Sequence, residues 1–270
     1  MNFKNKNIGF FDSGIGGISV LKNAIETLQN EVFVYFGDSK NAPYGSKNKD
    51  EIIRLCINIC NFLIYENNCK AIVVACNTAS SAAIKVLRSI YEPDIPIIGV
   101  EPAIKPAVEN LRNNNPDGKI LLLATPFTTK GEKLKFLLNK YNGFNIESIA
   151  LDELAYMIET NLNKESIYDY LYKILNTYKN KVDSVILGCT HYYFIKDLLI
   201  NILGEKVKIY DGIIGTNNEL KRRLISKNIN NDVYNKDLKK LYIYNSLDNK
   251  NVLRCYELLN YQGGLQWRDL

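Results

Sequence analysis

Short apolar runs of strand type alternate with amphipathic stretches of helical length along most of this chain, and this alternation limits the possible folds most. Strand candidates are residues 8–11, 32–36, 71–75, 97–100, 119–124, 146–149, 184–187 and 207–210. Between most of them lie helical patterns, such as 18–28, 50–66, 79–90 and 130–141. A strand that returns through a helix runs parallel to its predecessor. Repeated units of this kind predict an α/β fold with parallel sheets covered on both faces. A chain of 270 residues, 46% hydrophobic, is large enough for one big domain or two smaller ones with a buried core.

Two cysteines occupy matching places in this pattern. One lies in Val73-Val74-Ala75-Cys76-Asn77-Thr78-Ala79, the other in Ile186-Leu187-Gly188-Cys189-Thr190-His191. Each follows an apolar run and a small residue, and each precedes polar side chains and a helical pattern. Such a thiol is expected at the carboxyl edge of a sheet, at a helix N-terminus. There, free N–H groups and the helix dipole lower a thiol pKa from its ordinary value of about 8.5. The motifs stand 189 − 76 = 113 residues apart and read as an internal duplication. The strand count also permits a TIM barrel. Two matching halves favour two similar doubly wound domains, with the active site in the cleft between them and a thiol on each side. That arrangement suits a symmetric reaction.

Composition excludes several classes. Six scattered cysteines without regular spacing are no disulfide framework and point to a reducing cytoplasm. Cys56 and Cys60 have helical spacing and read as core thiols. No apolar stretch reaches the roughly 18 residues of a membrane span, and the polar start, residues 1–7, does not resemble a signal peptide. The net charge of +5 is dispersed, so neither nucleic acid nor membrane is expected as a partner.

Three further segments carry candidate chemistry. The first strand ends in Asp12-Ser13-Gly14-Ile15-Gly16-Gly17, where Asp12 is a candidate site carboxylate. A capped turn and a nucleotide phosphate loop are the rivals, although the glycine spacing fits neither known phosphate motif. The second strand leads into Gly37-Asp38-Ser39-Lys40-Asn41-Ala42-Pro43-Tyr44-Gly45, either a ligand-facing loop or an ordinary one. His191, the chain's only histidine, stands two residues beyond Cys189 as a proton relay or thiolate partner. Zinc held by Cys76, Cys189 and His191 is the competing reading, with no second histidine or Cys-x-x-Cys to support it. Nothing marks a pyridoxal phosphate site.

Together, Asp12-Ser13-Gly14-Ile15-Gly16-Gly17, Pro43-Tyr44-Gly45, Ala75-Cys76-Asn77-Thr78-Ala79 and Gly188-Cys189-Thr190-His191-Tyr192 resemble the four ordered signatures of the bacterial glutamate racemases, within the aspartate/glutamate racemase superfamily. The resemblance covers about residues 7–225. It implies cofactor- and metal-free interconversion of L- and D-glutamate, with free glutamate as substrate, a cytoplasmic homodimer, and D-glutamate supplied to peptidoglycan. It implies that Cys76 deprotonates the D-isomer with help from Asp12, and Cys189 the L-isomer with help from His191. Asp12, Ser13, Tyr44, Gly45, Asn77, Thr78, Thr128, Thr190 and His191 match positions that hold substrate, and Glu159 the acid behind the histidine. Three places depart from the family pattern. Leu151-Asp152 replaces a Cys-Pro pair, Ala124-Thr125-Pro126-Phe127-Thr128 replaces a glycine-rich run, and Asp211-Gly212 stands where Asp-Ser is common.

The resemblance further implies a first domain of residues 1–98 plus 208–270 and an inserted second domain of 99–207. In the tail, Leu241-Tyr242-Ile243-Tyr244 reads as a late strand, followed by a helix and by Gly263-Gly264-Leu265-Gln266-Trp267. Two other functions stay open: a sister enzyme acting on another substrate such as aspartate, and a binding protein that kept the cleft but lost the activity.

Overall fold

A computed structural model describes residues 3–160, 162–233 and 241–259 of the chain. In chain order it carries β1 (Asn7–Asp12), α1 (Ile18–Thr27), β2 (Phe33–Gly37), α2 (Lys49–Asn61), β3 (Cys69–Val74), α3 (Asn77–Tyr91) and β4 (Ile97–Gly99). Next come α4 (Ile104–Asn114), β5 (Lys119–Ala124), α5 (Pro126–Lys130), α6 (Glu132–Asn139), β6 (Asn145–Ala150), α7 (Leu154–Glu159) and α8 (Lys164–Leu175). The last described elements are β7 (Ser184–Gly188), α9 (Lys196–Leu203), β8 (Lys208–Asp211), α10 (Ile213–Ser226), β9 (Leu241–Asn245) and α11 (Asn249–Leu259).

The chain divides into two compact units. One takes in residues up to Val100 and those described from Ile213 onward; the other is Glu101–Gly212. The first holds a five-stranded sheet in the order β4-β3-β1-β2-β9, the second a four-stranded sheet in the order β6-β5-β7-β8. Every neighbouring pair is parallel, so the fold is α/β with two open sheets and not a closed barrel. Read from the opposite edge, the second sheet runs β8-β7-β5-β6. It therefore repeats the fourth-third-first-second order of the first sheet.

Strand periodicity explains the double layer. Along β5, Leu121 and Leu123 enter one apolar cluster with Leu171 and Leu175 of α8 and Leu199 of α9. Ile120, Leu122 and Ala124 enter another, with Val108 and Leu111 of α4 and Leu134 of α6. Side chains two apart share a face, so a continuous apolar run fills two layers at once. In the first unit β3 is buried along its whole length. Near its start Asn7 lies opposite Cys69 but Ile8 opposite Ala71, and the extra residue in this bulge is Lys70.

Several boundaries differ from those expected. Lys208–Asp211 pairs with β7, Leu187 opposite Asp211, so the chain returns to the first unit at Ile213 and not near 208. Ile209 packs on one face of that second sheet and Tyr210 on the other, which explains why the strand stays there. The stretch 50–66 is helical, but its last turn widens into a π-helical turn over Phe62–Glu66. Phe62 there meets Phe36 and Tyr244 edge-on. The stretch 130–141 is broken by extended backbone at Gly131. The late strand is β9, parallel to β2 with Gly37 opposite Asn245. The Gly263–Trp267 motif lies outside the described residues. No described helix is long and apolar enough to cross a membrane.

Candidate active site

The first unit gathers one group of expected site residues at the carboxyl ends of β1, β2 and β3. Asp12 ends β1 fully buried; its Oδ1 accepts from Gly14 N at 2.8 Å and Ser13 Oγ at 3.5 Å. Gly17 begins α1, and a Cβ there would sit 2.7 Å from Asp12 Cβ and 2.9 Å from Ala75 Cβ. Only glycine lets α1 approach this closely. Cys76 is the N-cap of α3, and its Sγ accepts from Ala79 N at 3.4 Å. A sulfur placed there meets the partial positive charge of the helix start, which favours thiolate. Ser13 Oγ lies 3.6 Å from the same sulfur.

Asn77 and Thr78 form the first turn of α3, both buried. Asn77 Nδ2 has no hydrogen-bond partner among the described residues. A buried donor left unmade costs about 1–3 kcal/mol, a cost that an anionic ligand would offset. Tyr44 opens a 3₁₀ turn, Tyr44–Ser46, that includes Gly45. The Tyr44 phenol is buried and donates to Asp38 Oδ2 at 2.6 Å. Burial and then the Asp38 charge push its pKa well up, so it remains a donor throughout the physiological range.

The second unit holds the other group. Cys189 follows β7, but no α-helix begins beside it. A 3₁₀ segment, Thr190–Ile195, intervenes before α9. The expected helix-dipole support therefore applies to Cys76 and is absent at Cys189. Here a contact distant in sequence accompanies the 3₁₀ course: Thr190 and Tyr192 are both buried, and Tyr192 donates to Leu151 O at 3.2 Å. Beside Cys189 stands an imidazole instead. His191 Nδ1 lies 3.8 Å from Cys189 Sγ, and His191 Nε2 lies 2.7 Å from Glu159 Oε2. Both His191 and Glu159 are buried. With a proton held on Nε2 by the carboxylate, Nδ1 is the ring nitrogen that faces the Cys189 thiol.

Ala124 lies opposite Gly188, which puts the 125–128 segment beside Cys189. A Cβ on Gly188 would fall 2.8 Å from Ala124 Cβ, a second place where glycine is required. Thr125 caps α5, accepting from Thr128 N at 3.4 Å, and its hydroxyl donates to Thr128 Oγ1 at 3.1 Å. Thr128 is thus buried and already partnered. The expected residues fall into these two sets: Asp12, Ser13, Tyr44, Gly45, Cys76, Asn77 and Thr78 in one unit, Thr128, Glu159, Cys189, Thr190 and His191 in the other. Sequence reasoning assigned no role to Asp38, although it accepts from Tyr44, Asn41 and Ser246. The one signal available was its place just beyond the end of β2.

Each set thus places a thiol just beyond a strand's carboxyl end among buried polar side chains. The family model for Asp/Glu/Hydantoin racemases matches residues 13–236, and the chain belongs to that family. It is 51% identical to the glutamate racemase of Clostridium novyi (strain NT) over 245 residues, 90% of this chain and 92% of that one. Among solved structures it resembles the glutamate racemase isoform RacE1 of Bacillus anthracis, with TM-score 0.82 and 30% identity over 99% and 98% of the two chains. It also resembles the Francisella tularensis glutamate racemase solved in complex with D-glutamate, with TM-score 0.79 and 29% identity over 97% and 96%. The chain is an isomerase of the glutamate racemase group.

Proposed function

We propose that this chain interconverts L- and D-glutamate with Cys76 and Cys189 as its two bases and without a cofactor. One observation carries the reading. Each thiol lies just beyond the third strand, in chain order, of its unit, and each has different polar neighbours, Ser13 with Asp12 behind it at one and His191 with Glu159 at the other. Mirror-image substrates require a base for each face of the α-carbon. The two units act as two domains, each contributing one thiol.

Cys76, as thiolate, removes the α-proton of the D-isomer, and the Cα–H electron pair moves toward the substrate carboxylate. The Cys189 thiol then delivers its proton to the opposite face and becomes the thiolate. The enzyme ends in the protonation state from which the L-isomer reacts in reverse. Asp12 serves the Cys76 side and His191 the Cys189 side, with Glu159 holding the imidazole. A positioned base of this kind contributes roughly 10²–10⁴-fold. Donors that stabilise the developing charge contribute as well, and the unpartnered Asn77 amide is one such donor. Ser13, Tyr44, Gly45, Thr78, Thr128 and Thr190 hold the charged ends of the substrate. We read the protein as a cytoplasmic homodimer that supplies D-glutamate for peptidoglycan.

Proton exchange tests this reading directly. The chelator-dialysed protein is incubated with L- or D-glutamate in deuterated water. α-Deuterium together with inversion is the expected result. Exchange with aspartate and none with glutamate would move the assignment to a sister enzyme, and activity restored only by added zinc would favour the Cys₂His alternative.

A further inference from the structure

The strand that closes the first sheet at its far edge is joined to the loop that carries Tyr44. Because Gly37 lies opposite Asn245 in the β2–β9 pair, the residues after both strands leave the sheet side by side. Ser246 N donates to Gly37 O at 2.9 Å. The Ser246 hydroxyl donates to Asp38 Oδ1 at 2.7 Å and accepts from Lys40 N at 3.1 Å, so both its roles are used. Asn245 Nδ2 donates to Ser39 Oγ at 2.9 Å, and its Oδ1 accepts from Leu247 N at 2.9 Å. Asp38 is buried and passes the link onward. Its other oxygen accepts the Tyr44 phenol at 2.6 Å, and its backbone N–H donates to Asp12 O at 3.0 Å.

We infer that Ser246, seconded by Asn245, is a positioning residue for the active site: it fixes the Asp38 carboxylate, and through it the Tyr44–Gly45 turn and the end of β1. The inference rests on the racemase reading, in which that turn holds substrate. The chain's late strand is thereby part of the binding apparatus, 208 residues beyond the carboxylate it secures. A carboxylate held by neutral donors in a buried place needs each of them. Asn41 Nδ2 also reaches both oxygens, at 2.9 and 3.1 Å, but Ser246 is the donor that ties Oδ1 to the late strand, and its loss loosens the carboxylate and the phenol it holds.

The test is steady-state kinetics of Ser246→Ala in both directions, with Ser246→Thr as the variant that keeps the hydroxyl. The KM for both isomers should rise roughly tenfold in the alanine variant, the order expected when a hydrogen bond to a buried charge is lost. It should return toward wild type with threonine. A merely structural role would lower the melting temperature and the active fraction, hence kcat, and leave KM alone. If Ser246→Ala does not fold, Ser246→Cys keeps the volume, weakens the donor and carries the same readout. An unchanged KM in a folded variant, or a rise that threonine does not reverse, overturns the inference. A wild-type protein that exchanges no α-proton overturns the racemase reading instead, before any variant is compared.

Discussion

Cys76 and Cys189 look alike in sequence and are built differently. Cys76 sits at a helix start with Ser13 beside it, whereas Cys189 relies on a histidine backed by a carboxylate. Changing either thiol to serine should lower kcat by roughly 10²–10⁴-fold with the fold intact, because a hydroxyl is too weak an acid to act as the base. The helpers should divide by direction. His191→Asn is expected to lower kcat more for L-to-D turnover, and Asp12→Asn more for D-to-L. For mirror-image substrates the two kcat/KM values are bound to be equal, so the bias must appear in kcat and KM separately and in the isotope effects of each direction. Equal kcat losses in both directions for both variants would refute a separate helper for each thiol. The places of both cysteines beyond strand ends, and of the histidine beside one of them, were legible in the sequence because strand, small residue, thiol and polar turn form a local pattern. The missing helix after Cys189 was not, since it depends on Tyr192 reaching Leu151, 41 residues away.

Among the elements, β3 shows how a strand can carry a charge into a core. The bulge at its start aims Lys70 inward, where it is fully buried; Nζ contacts Glu31 Oε2 at 2.7 Å and donates to Lys4 O at 2.6 Å. Burial lowers the lysine pKa, opposed by the hydrogen bond and charge of Glu31. Lys70→Met alone strands a buried carboxylate and should cost about 3–5 kcal/mol in chemical denaturation. Adding Glu31→Gln should restore most of that stability. A double variant no more stable than the single would show that the ion pair is not what the site requires. Core strands such as β5 were readable to the residue. The bulge at Lys70 and the pairing of β8 were not, because each is settled by partners distant in sequence, and the break at Gly131, held by the nearby Thr128 carbonyl, was read through as helix.

At the scale of the whole molecule, three thiols outside the proposed chemistry set an upper pH limit on stability. Burial raises the pKa of Cys56, Cys60 and Cys69, with neighbouring Cys60, Cys76 and Asp38 adding to the rise at Cys56 and Cys60 adding at Cys69. The unfolded chain releases these protons near pH 8.5, while the folded protein keeps them. Their contribution is therefore complete below about pH 8.5 and is lost as pH rises beyond it, by up to about 1.4 kcal/mol per thiol per pH unit. Unfolding free energy measured from pH 7.5 to 9.5 should fall, and Cys60→Ala should reduce the slope whatever it does to the absolute stability. An identical slope in that variant would remove Cys60 from the account. Two similar units with parallel sheets were anticipated from the matched cysteine motifs, whereas their shared strand order and the tail's place beside β2 were not. Nothing in the Leu241–Tyr244 run names its partner.

The discontinuity of the first unit also sets an order of events during synthesis. All of Glu101–Gly212 leaves the ribosome before β9 exists, so the inserted unit can complete its sheet while β2 still exposes an unpaired edge. That open edge is a pairing hazard for as long as translation continues. The part of the chain made first is thus the last to finish folding. Premature termination before Leu241 would release a chain whose second sheet is whole and whose Tyr44 loop lacks its anchor.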